Sequence, residues 1–83
     1  MNLDPVLFHL REAKEELDRT ITEMASDPKY DFAAFQVSMS HLYHHLNTAW
    51  NGRDQTDAEF EECTDETFKR FRRFPRESEV FLE

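Results

Sequence analysis

Three of the chain's four histidines, His41, His44 and His45, fall within five consecutive positions. On a helix, His41 and His45 stand one turn apart on nearly the same line, the spacing by which one helix supplies two ligands to a metal ion. An antiparallel partner helix would bring His9 beside that pair as a third ligand. The chemistry to expect of such a trio is coordination of a divalent transition metal by neutral imidazole nitrogens. Against it, no Glu-x-x-His pattern of the di-iron bundles is present, and no carboxylate follows Asp31 until Asp54. The plainer reading is of imidazoles bonded to neighbouring backbone and carboxylates, in a protein that uses no cofactor.

Other candidate chemistry is thinner. Cys63 stands between Glu61, Glu62, Asp65 and Glu66, whose charge disfavours a thiolate, so a buried, inert thiol is expected. Asp54 to Glu66 carries seven acids, and Lys69, Arg70, Arg72, Arg73 and Arg76 follow with Phe68, Phe71 and Phe74 interleaved. That basic cluster resembles an anion-contacting surface, but acids at helix starts and bases at helix ends also complement the helix dipole. A single glycine leaves no phosphate-cradling loop, and no nucleophile elbow or Cys-x-x-Cys occurs. Nothing singles out a catalytic pair, so the expectation is a protein that is not an enzyme.

These residues depend on the elements that carry them. Asp4-Pro5 reads as an N-cap followed by proline at the first helical position, and Leu3, Val6, Leu10, Ala13, Leu17, Thr20 or Ile21, and Met24 recur at helical steps, predicting a first helix over about 4–25. Ser26 to Tyr30, with Pro28, breaks the chain. Asp31 then caps a second helix to about residue 51, whose stripe is Phe32, Phe35, Met39, Leu42, Leu46, Ala49 and Trp50. Gly52 is suited to the left-handed conformation that follows a helix. Phe32 to Gly52 holds no Asp, Glu, Lys or Arg in a chain that is 34% charged, which predicts neighbours on more than one side. Beside its stripe runs a small, uncharged flank of Ala34, Ser38, His41 and His45, a candidate self-association or partner surface, or else a side covered by the third helical region or the tail of the same chain. Thr56-x-x-Glu59 is a capping box, Thr64-Asp65-Glu66 is a second helix start, and Pro75 is a stop. A third helical region over about 57–74, broken near Cys63-Thr64, and a tail over 75–83 follow.

Length and charge bound the rest. Eighty-three residues make one small domain, near the size where a single core stabilises only marginally. A net charge of −8 argues against nucleic acid and anionic membranes as partners. Nearly half of the uncharged stretch is polar, which argues against a membrane span. One cysteine and an N-terminus without a basic, then apolar leader point to a cytoplasmic protein. The expectation is therefore an all-α domain: an antiparallel helical hairpin with a third helical region packed on it, self-associating as a homodimer. Its function is expected to be non-catalytic interaction, with metal or small-ligand binding on the His41/His45 flank as the alternative.

Overall fold

The structure, a computed structural model describing residues 1–82, holds five helices and, among the described residues, no strand. They are α1 (Leu3–Ser26), α2 (Phe32–Asn51), α3 (Asp57–Glu62), α4 (Asp65–Phe71) and α5 (Glu77–Val80). The long pair α1 and α2 forms an antiparallel hairpin; α3 packs on α1, and α4 on α2.

Several boundaries follow the local rules. Asp31 accepts from the Ala34 amide at 2.9 Å and starts α2. The Thr56 hydroxyl accepts from the Glu59 amide at 3.2 Å, while the Glu59 carboxylate accepts from the Thr56 amide at 3.1 Å. Thr64 caps α4 in turn, so the region 57–74 is two helices broken at Cys63-Thr64. Asp27, ahead of Pro28, is extended and ends α1.

Other boundaries depend on distant partners. The N-cap of α1 is Asn2, not Asp4: its side chain accepts from the Asp4 amide at 3.4 Å. Asn2 is held there from outside the helix. Its amide donates to the Arg53 carbonyl at 2.7 Å, and its Nδ2 donates to the Gln55 carbonyl at 3.0 Å and to Asp57 Oδ1 at 2.8 Å. Pro5 falls in the first turn, where a missing N–H costs nothing, and is fully buried. The last long-range region ends at Phe71 rather than Phe74. There Asn51 Nδ2 donates to the Phe71 carbonyl at 2.9 Å and the Arg73 carbonyl at 2.7 Å, capping α4 from the end of α2. The expected tail opens into α5.

The packing departs most from the periodic pattern. On α1 the buried line is Pro5, Ala13, Glu16 and Thr20, and on α2 it includes Ser38 and Ala49. These small and polar residues form the seam of the hairpin. The apolar stripes lie about a quarter-turn away on each helix. Leu3, Leu10, Leu17, Ile21 and Met24 on α1 are exposed, and Leu46 on α2 with them; Phe35, Met39, Leu42 and Trp50 are only half-buried. Because the helices run antiparallel, the two quarter-turns emerge on the same side. The opposite side is the one that α3 and α4 cover, through Phe8 on Phe60 (5.4 Å between ring centroids) and His44 on Phe68 (4.8 Å). Apart from Ala13 and Ala49, which lie on both lines and are buried, the apolar stripes are thus not the core of the hairpin. The reason is that a seam of Ala, Ser and Thr lets two helices approach closely and meet through small side chains, turning the bulkier stripes aside.

Gly52 is corrected too. Its φ of −98° and ψ of 14° are open to any residue, so the left-handed conformation is not what requires glycine here. Space requires it: a Cβ would stand 2.9 Å from the Thr48 carbonyl oxygen and 3.3 Å from both Gln55 Nε2 and Phe71 Cδ2. The left-handed residue is Cys63, at φ 44° and ψ 58° after α3.

Candidate functional site

The hairpin seam carries the histidines. His9 comes from the second turn of α1 and His45 from the fourth turn of α2, and their Nδ1 atoms face each other at 3.3 Å. A contact of that length is one imidazole donating to another, which needs at least one neutral ring. His9 is held neutral: desolvation, then the neighbouring His45 and His44, lower its pKa from 6.5 to about 4. His44, one position before His45 and turned towards α4, is also lowered by desolvation first, then by His45, Arg72 and His41. Its ring stacks at a tilt on Phe68, and the Arg72 guanidinium lies 5.6 Å from the centroid of the same Phe68 ring.

His41 stands apart from this pair. Its Nδ1 is 3.7 Å from Glu16, a carboxylate with only 11% of its side chain exposed, which also takes a 2.8 Å bond from Arg19. The structure thus brings His9 and His45 together and places His41 beside a different group. Among the described residues, no group of three or more His, Cys, Asp or Glu is arranged to hold a metal ion.

Of the remaining flank, Ser38 is buried in the seam with its hydroxyl 3.2 Å from that of Tyr30, and Ala34 is half-buried one turn before it. The flank therefore faces α1 of the same chain along much of its length. The sequence holds a signal for this that periodicity in apolar residues misses. Pro5, His9, Ala13, Glu16 and Thr20 repeat at steps of four, four, three and four, and this line mirrors Ala34, Ser38, His41, His45 and Ala49 in α2.

Cys63 is exposed rather than buried, because it occupies the turn between two short helices. The basic cluster is partly spent within the fold. Arg70 meets Glu59 at 3.6 Å and lies over Phe71, and Arg73 meets Glu79 at 3.8 Å. Glu59 is lowered in pKa by its backbone bond to Thr56, then by the Thr56 side chain, with Arg70 adding to this.

The broadest surface feature is the open apolar side of the hairpin. It shows the exposed Leu3, Leu10, Leu17, Ile21 and Met24 of α1, with the half-buried Phe35 and Met39 and the exposed Leu46 of α2, and at Leu46 it adjoins Phe74, Val80 and Phe81 of the C-terminal segment. No helix of the structure is long and apolar enough to cross a membrane among the described residues. In comparisons with known proteins, no family model, curated relative or solved structure matches this chain.

Proposed function

We propose that the protein is a non-catalytic interaction module that pairs with a second copy of itself through the open side of the hairpin. The observation that carries this is the exposure of both apolar stripes on one side, with Ile21 at 58%, Leu17 at 46% and Leu46 at 40%. The buried hydrophobic residues are few: Ala13, Ala49 and Phe71, with Pro5 fully enclosed. The single chain is correspondingly extended. Its accessible surface is 6582 Å² for 10.0 kDa, where a globular monomer of that mass exposes about 5,200 Å². Its radius of gyration is 14.6 Å, against about 12 Å for a compact chain of this length.

A second copy fits the dimensions. Twenty residues of helix span about 30 Å, and two adjacent helices are about 20 Å wide, giving each copy a face of roughly 600 Å². Two such faces bury about 1,200 Å² together, the lower end of specific interfaces. The product is a four-helix core built from two hairpins, with α3 and α4 on its outer sides. Light scattering at tens of micromolar and melting at several concentrations test this. A dimer whose melting temperature rises with concentration is expected, and Leu17→Glu with Ile21→Glu should give monomers. A wild-type protein that stays monomeric would overturn it.

A second reading is favoured by the His9–His45 contact. Two nitrogens bound to one tetrahedral zinc ion stand about 3.3–3.4 Å apart, and these stand at 3.3 Å. On that reading the pair holds a divalent transition metal, with water completing the sphere. Calorimetric titration of tag-free protein with zinc and nickel tests it; binding should vanish in His9→Ala, and no heat in the wild type would end the idea.

A further inference from the structure

A cavity of about 240 Å³ lies on the other side of the hairpin from the open apolar side, between α1, α2 and the α3–α4 cover. Its walls are chiefly the rings of Phe8, Phe60, Phe68 and Phe71. Among the described residues no Asp, Glu, Lys or Arg lines it, in a chain where a third of the residues are charged. The polar groups that reach it are uncharged. Thr48 is among them, and its hydroxyl oxygen is buried without a hydrogen-bond partner. His9 also lines it.

We infer that this cavity binds a small, uncharged aromatic molecule carrying one O–H or N–H group, of the phenol or indole class. The size suits a single ring system, because an apolar cavity of about 150 Å³ already accepts benzene. Phenyl walls favour an aromatic guest, which can meet ring faces and edges in offset or perpendicular contact. A charged guest would be desolvated with no counter-ion, whereas a single polar hydrogen can pair with the Thr48 hydroxyl, which lies enclosed and partnerless and turns towards the guest to do so. Cys63 stands exposed at the same cavity and so reports on its occupancy.

The test uses phenol and indole on the full chain, with toluene and benzoate as controls. Saturable amide shifts at Thr48 and Thr67 are expected, with Cys63 alkylated several-fold more slowly when indole is bound. Toluene should bind more weakly than phenol, and benzoate should not bind. Thr48→Val should weaken phenol about fivefold to tenfold and leave toluene unchanged. If that variant does not fold, the Cys63 protection of the wild-type chain decides alone. Unsaturable shifts, shifts confined to Leu17 and its neighbours, or benzoate binding as well as phenol would overturn the inference. The readout sits at Thr48 and Cys63, away from the proposed subunit contact, so either idea can fail without the other.

Discussion

At the scale of single residues, two side-chain positions carry more than their type announces. Gly52 is the only glycine, and its conformation is ordinary; what is unusual is the space around it. Gly52→Ala forces the Thr48 carbonyl, Gln55 or Phe71 to move, and should destabilise the fold by about 1–3 kcal/mol, the cost of overpacking a close contact. Urea denaturation of the two proteins would measure it. His9 sets a pH dependence. Its folded pKa of about 4 lies below its ordinary 6.5, so the unfolded chain takes up a proton that the folded chain refuses. Stability should therefore be full above pH 6.5 and decline as pH falls from there towards 4. Denaturation midpoints across that window should show the decline, and His9→Gln should reduce it, leaving the part that His44, whose pKa is lowered too, contributes. Neither effect can be read from the residue types. A glycine after a helix and a histidine beside an apolar stripe each have a commoner explanation, and only the neighbours contributed by other elements distinguish them.

At the scale of elements, what was legible was whatever is local. Asp31, the Thr56–Glu59 box, Thr64 and the Asp27-Pro28 stop all act within four residues of their own position, and each does what its sequence pattern implies. What was not legible is supplied from afar. Asn2 displaces Asp4 as the cap because the segment from Arg53 to Asp57 holds it, and at the end of α4 Asn51 reaches across to the Phe71 carbonyl and to the Arg73 carbonyl just beyond the helix. Asn51→Ala leaves those two carbonyls without their donor. It should cost about 1–3 kcal/mol, and hydrogen exchange should show α4 opening more readily while the middle of α1 is unchanged. The seam teaches the same lesson about helix faces. Helical periodicity locates a bulky stripe correctly but does not say which of two adjacent lines meets the partner helix, and here the line of small residues does so.

At the scale of the whole molecule, the balance of charge bears on the proposed pairing. Each copy carries a net charge of −8, and bringing two together adds repulsion that salt screens. The apolar contact itself is not weakened by moderate salt. Sedimentation equilibrium at low and at near-physiological ionic strength should therefore show a tighter dimer in the saltier buffer. A contact made instead by opposite charges would weaken under the same change.

The connections at the two ends of α2 differ in what depends on them. The turn from Asp27 to Tyr30 is tied to its own neighbours, with one side-chain reach from Tyr30 to Ser38. The segment from Gly52 to Asp57 instead receives the start of the chain through Asn2 and lies against Phe71 of the last third. A backbone cut has opposite consequences in the two places. Two separately made fragments, 1–28 and 29–83, should recombine into the helical fold when mixed, with a gain of circular-dichroism signal over the sum of the parts. Fragments divided between Arg53 and Asp54 should not, since each would lack half of the junction that joins beginning, middle and end.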